Sequence, residues 1–136
     1  AKVMQEFGVR SATDITGFGL LGHALKLAKA SDVSMKIYGK KLPMLEKVYE
    51  LLEGGCIPCA VHKNLEFAQG ETEFAQGLDY NYKNLVLDAQ TSGGILMSVP
   101  AAKVDQIIER LKNESYSQTS VIGEVIKADI KRIYVS

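Results

Sequence analysis

The stretch "GFGLLGHALKLAKAS", residues 17–31, constrains this chain more than any other. Leu21, Ala24, Leu25 and Ala28 fall at i, i+3, i+4 and i+7, the stripe of an amphipathic helix that must be covered by another layer. The segment before it, "SATDI", residues 11–15, is short and β-tolerant, so the order reads strand, glycine loop, helix. Val33, Met35 and Ile37 then alternate with Ser34 and Lys36, the period of a half-buried strand stopping at Gly39.

The remaining chain gives weaker signals. A second helix is expected with Pro43 in its first turn, Leu45, Val48, Tyr49 and Leu52 on one face, and Gly54 and Gly55 at its end. From Gly55 to Asn84 periodicity fades, and "FAQG" occurs at 67–70 and again at 74–77. That spacing is too short for a repeat architecture and reads as two turns of one short helix or as coincidence. "NLVLDAQTSGGILMSVP" reads as an apolar strand, a glycine turn and a central strand over Ile95 to Val99, closed by Pro100. Val104, Ile107, Ile108 and Leu111 mark another helix. Val121 to Ile126 and Ile130 to Val135 suggest a closing hairpin around Ala128 and Asp129. Helices over a mixed sheet make the class α+β, with α/β as the rival label.

Composition narrows the functions. Sixteen basic and sixteen acidic residues give zero formal net charge, so no broad field draws nucleic acid or an anionic membrane. No apolar run reaches the ~18 residues of a membrane span, which makes the cytoplasm the expected location. With 136 residues and 46% apolar composition, one domain with a real core is expected. The first residue is not Met, and the opening reads like the end of a helix, which suggests a piece of something longer.

Three segments carry possible chemistry. Asp14 lies between Thr13 and Thr16 and is followed by Gly17 and Gly19. An acid beside an anion-friendly loop suits half of a site for Mg²⁺ and phosphate, whereas the plain alternative is that Asp14 or Thr16 caps the helix. "TSGG", Thr91, Ser92, Gly93 and Gly94, can turn backbone N–H groups toward an anion, with Asp88 just before it; it is equally an ordinary tight turn. Cys56, Cys59 and His62 in "CIPCAVH" offer three metal or redox ligands without a fourth, and loop thiols are the default. His23 reads as a polar residue on the less apolar side of its helix.

Taken together, "ATDITGFGLLGHALKLAKAS", "DAQTSGGILMSV" and "VIGEV", with "MQEFGV" ahead of the first, resemble the C-terminal half of selenophosphate synthetase, also called selenide, water dikinase. The resemblance covers essentially the whole chain. It extends to the wider group of ATP-using enzymes that includes aminoimidazole ribonucleotide synthetase, but "TDITGFGLLGH" and "QTSGG" point to the selenium enzyme.

The resemblance implies an α+β domain, helices on a mixed sheet with partial ferredoxin-like topology. Residues 1–136 are then the C-terminal domain of a two-domain enzyme whose N-terminal catalytic domain is absent. The parent reaction is selenide, ATP and water to selenophosphate, AMP and phosphate. By the same resemblance Asp14 joins carboxylates of the N-terminal domain in binding Mg²⁺ on ATP. Thr13, Thr16, Gly17, Thr91, Ser92, Gly93 and Gly94 line the nucleotide side, and the intact enzyme is a homodimer. The family's glycine-rich segment with its reactive Cys or selenocysteine and its Lys has no counterpart here. No catalytic residue is therefore assigned, no nucleophile falls on Cys56 or Cys59, and the isolated domain is expected to be inactive. The chain also departs from the family in reading Pro58-Cys59-Ala60 for Pro-Gly-Gly, ahead of Lys63-Asn64, where Cys and Ala resist positive φ. The rival functions are a domain of a related ATP-dependent synthetase, and a non-catalytic nucleotide- or zinc-binding module.

Overall fold

The stripe Leu21, Ala24, Leu25 and Ala28 is the buried face of a helix, each residue no more than 2% exposed. The computed structural model describes residues 1–136. Its elements are α1 (Lys2–Glu6), β1 (Ser11–Asp14), α2 (Gly19–Ala30), β2 (Val33–Ile37), α3 (Val48–Glu53), α4 (Ala60–Ala68), β3 (Thr72–Phe74), α5 (Tyr80–Leu87), β4 (Ile95–Ser98), α6 (Val104–Asn113), β5 (Gly123–Lys127) and β6 (Ile133–Val135). The class is α+β.

Four strands form one mixed sheet in the order β3-β6-β2-β5, while β1 and β4 pair antiparallel as a separate ribbon. Strand β2 runs parallel to β6 and antiparallel to β5. Met35, Ile37, Ile133 and Val135 turn their side chains into the core, where α2 lies across them and packs on α4 and α5. Burial of Leu21 and Leu25 alone contributes about 1.5–3 kcal/mol each.

The structure corrects several expectations. The closing hairpin does not form, because β2 lies between β5 and β6. Neither Ala128 nor Asp129 takes the positive φ of a two-residue hairpin turn. Instead Ser34, fully buried, donates to the Lys131 carbonyl at 2.8 Å and accepts from the Asp129 N–H at 3.0 Å. That pins the connection across the end of β2.

Residues 84–87 are helix, not strand. Asp79 accepts the Asn81 N–H at 2.7 Å and caps α5, whose first turn precedes the apolar run. Strand β4 is not central: it pairs only with β1, and Ile95 is 55% exposed. Helix α3 starts late, after Lys47 with φ +67°, leaving Pro43 and an exposed Leu45 outside it. The first "FAQG" ends α4 and the second ends β3, so they are not turns of one helix.

Candidate functional site

The β1–β4 register sets Asp14 opposite Ile95, so the loop leaving β1 and the loop entering β4 emerge at the same end of the ribbon. They are bonded together: the Ile15 N–H donates to the Gly94 carbonyl at 2.9 Å and the Gln90 N–H to the Thr16 carbonyl at 3.0 Å. Gly93 packs directly on the Ile15 carbonyl, leaving no room for a β-carbon. Gly19, at φ +66°, sits where a β-carbon would lie 2.8 Å from the Leu87 and Asp88 carbonyl oxygens. Thr13, Asp14, Thr16 and Gly17 therefore share one edge with Thr91, Ser92, Gly93 and Gly94. Gly17 and Gly94 differ from the other two, since a β-carbon on either meets nothing within 4 Å.

Asp14 ends β1 and is exposed. The one side-chain bond that reaches it, from Thr13 Oγ1 at 3.0 Å, ends on its backbone carbonyl, so the carboxylate is unengaged. The capping alternative fails, because the N-cap of α2 is Phe18 and no side chain caps it.

Two residues that hold this edge were not legible as such. His23, placed by sequence on the polar side of its helix, is 8% exposed. Its Nε2 accepts the Thr16 N–H at 3.1 Å and lies 3.0 Å from Thr16 Oγ1, while Nδ1 is 3.4 Å from Thr13 Oγ1. Asn64, 5% exposed on α4, donates from Nδ2 to the Gly17 carbonyl at 3.0 Å and the Leu87 carbonyl at 2.8 Å. A signal for Asn64 existed, since Val61, Asn64, Leu65 and Ala68 carry helical spacing with one polar member.

Asp88 lies behind the edge. Gln90 Nε2 donates to its Oδ2 at 3.0 Å, Oδ1 is buried without a partner, and burial pushes its carboxyl above the ordinary Asp value. Elsewhere, Cys56 and Cys59 are free and exposed, as is His62, and they do not assemble into a metal-ligating group. Cys59 has φ −56° at the start of α4, so the Pro58-Cys59-Ala60 departure meets no need for positive φ. No three His, Cys, Asp or Glu side chains converge anywhere in the chain. A cation held at Asp14 would therefore draw its further protein carboxylates from outside these residues. Two clefts, of about 360 and 590 Å³, are lined in part by Ser136 and include none of the edge residues.

These features define an α+β domain whose candidate groups stand together at one end of the β1–β4 ribbon. The chain belongs to the family described as AIR synthase related protein, C-terminal domain, whose model matches residues 1–136. It is 49% identical over 130 residues to a selenide, water dikinase of Porphyromonas gingivalis, covering 95% of this chain and 37% of that protein. It is 36% identical over 135 residues to the selenide, water dikinase of Clostridioides difficile, covering 99% and 39%. A third, from Aliarcobacter butzleri, is 34% identical over 136 residues, covering 100% and 39%. The chain thus matches the C-terminal domain of selenophosphate synthetases and spans less than two fifths of the length of these curated relatives. No helix is long and apolar enough to cross a membrane.

Proposed function

We propose that this domain completes the Mg²⁺·ATP site of a two-domain selenophosphate synthetase, which turns selenide, ATP and water into selenophosphate, AMP and phosphate. Asp14 is the metal-ligating residue, and the N-terminal domain supplies the remaining carboxylates. The observation that carries this reading is the unengaged, exposed carboxylate at the end of β1, which belongs to no converging group of three His, Cys, Asp or Glu side chains.

The donor chemistry fits a minority share of a Mg²⁺ shell. Mg²⁺ prefers hard oxygen ligands and commonly takes one or two carboxylates together with phosphate oxygens and water. Mg²⁺ bound there neutralises phosphate charge during transfer, where positioning and charge account for most of catalysis. Thr13 Oγ1 donates to the Asp14 carbonyl, and Thr16 follows two residues after the acid. Gly17 and Gly94 leave open space on the outer side, room for a phosphate or for the facing domain. Thr91 and Ser92 bring exposed hydroxyls to the same edge, and Gly93 closes the two loops together. The same reading makes the parent a homodimeric cytoplasmic enzyme.

The test uses the full-length enzyme. Asp14→Asn is expected to raise the Mg²⁺ concentration giving half-maximal AMP formation by about tenfold or more, with the melting temperature unchanged. An unaltered Mg²⁺ requirement, or a loss of activity matched by loss of fold, refutes the assignment.

A further inference from the structure

We infer that His23 is a positioning residue, a neutral imidazole that fixes the direction in which Asp14 is presented. The inference rests on the role proposed for Asp14 but has its own geometric basis.

His23 makes contacts on both sides of the acid, to a backbone N–H after it and to a side-chain hydroxyl before it. Nε2 accepts the Thr16 N–H at 3.1 Å, two residues after Asp14, while Nδ1 lies 3.4 Å from Thr13 Oγ1, one residue before it. A ring nitrogen that accepts an N–H carries its lone pair there, so the ring proton is on Nδ1. Thr13 Oγ1 then accepts from Nδ1–H and donates its own O–H to the Asp14 carbonyl at 3.0 Å. The result is a directed chain, Nδ1–H to hydroxyl to carbonyl, that ends on the peptide unit of Asp14.

These bonds are spent on the end of β1 and the loop after it, and not on the core. The ring comes from the second turn of α2, is 8% exposed, and meets Phe18 edge-on with centroids 6.0 Å apart. α2 is itself the most deeply packed helix, with Leu21 and Ala24 flanking His23 at 0% exposure. A rigid helix therefore sets the loop through one side chain, the arrangement that holds a ligand to within a fraction of an ångström.

Two measurements on the 136-residue chain test the inference without reference to turnover. Nitrogen-15 NMR of the imidazole should report an unprotonated Nε2 and a protonated Nδ1; the opposite tautomer, or a doubly protonated ring at neutral pH, overturns it. Hydrogen exchange should then show the Thr16 amide opening about tenfold faster in His23→Leu, the effect of one lost hydrogen bond. His23→Gln, whose amide oxygen can replace Nε2 as acceptor, should restore the protection. Unchanged Thr16 exchange in a folded His23→Leu, or no rescue by His23→Gln, sinks it; should His23→Leu not fold, the tautomer and the His23→Gln exchange decide. In the full-length enzyme His23→Leu should raise the Mg²⁺ requirement and His23→Gln should not. If Asp14→Asn leaves that requirement untouched, the metal role fails while the tautomer and exchange results still judge His23.

Discussion

Gly93 lies against the carbonyl of Ile15 so closely that a β-carbon on residue 93 would overlap the Ile15 oxygen. The two loops of the candidate edge are thus held by steric fit as well as by the Ile15–Gly94 and Gln90–Thr16 hydrogen bonds. Gly93→Ala must push them apart and is expected to cost about 1–3 kcal/mol. Gly17→Ala and Gly94→Ala meet open space and should change stability by no more than about 0.5 kcal/mol. Denaturant melts of the three variants separate the two kinds of glycine. In the full-length enzyme the second pair should lower turnover all the same, because their β-carbons project where substrate or the facing domain must come.

Asn64 joins α4 to both the Gly17 loop and the end of α5 through two carbonyls. Asn64→Ala leaves those acceptors without their donor in a buried place, at a cost of about 1–3 kcal/mol. Loosening should be local, with faster amide exchange around residues 17–19 and 87–88 ahead of global unfolding. Uniform destabilisation without that local signature would contradict the assigned tie.

The 136-residue chain is expected to form no AMP from ATP, with or without selenide. With Asp14 as the one carboxylate assigned to the metal and no converging group of three His, Cys, Asp or Glu side chains, it lacks the charge that phosphoryl transfer requires. Chromatographic detection of AMP gives the answer directly, and sustained AMP formation would place catalytic groups within this chain. Mixing it with a separately produced N-terminal domain should restore some turnover.

What sequence reveals here follows the physics of each segment. α2 and β2 were legible because their apolar residues keep strict periods of 3.6 and 2, and burial follows those periods. Helix α4 was hidden because its buried stripe contains Asn64, whose burial depends on carbonyls far away in the chain. Helix α5 was misread because its apolar end can serve either element, and the decisive residue, Asp79, lies before it. The insertion of β2 between β5 and β6 is a long-range pairing that no local pattern encodes.

The candidate edge was only half legible. "TDITG" and "TSGG" were found as separate segments, and the β1–β4 pairing brings them together. His23 was misplaced because a helical wheel treats imidazole as polar and outward-facing. Its partners, Thr13 in β1 and Thr16 in the loop that follows, take positions that depend on the fold.

Asp88 supplies a prediction in pH. Burial raises its carboxyl above the ordinary value, and the Gln90 bond only partly offsets that. A group raised in the folded state contributes stability below its unfolded pKa and loses it as pH rises through the folded value. Asp88→Asn removes the charge and hence the loss. Both proteins will weaken in acid, because Glu71, Asp79, Glu124 and Asp129 have lowered carboxyls and lose their contributions as pH falls. The difference between variant and parent is therefore the quantity to follow. It should move in favour of Asp88→Asn as pH rises from the ordinary Asp range toward neutrality and then level off. Any fixed penalty for placing an amide nitrogen where Oδ1 has no partner shifts the curve without changing its slope. Paired thermal melts at closely spaced pH values test this, and a difference that is flat, or that falls with rising pH, would show that Asp88 is not strained by its charge.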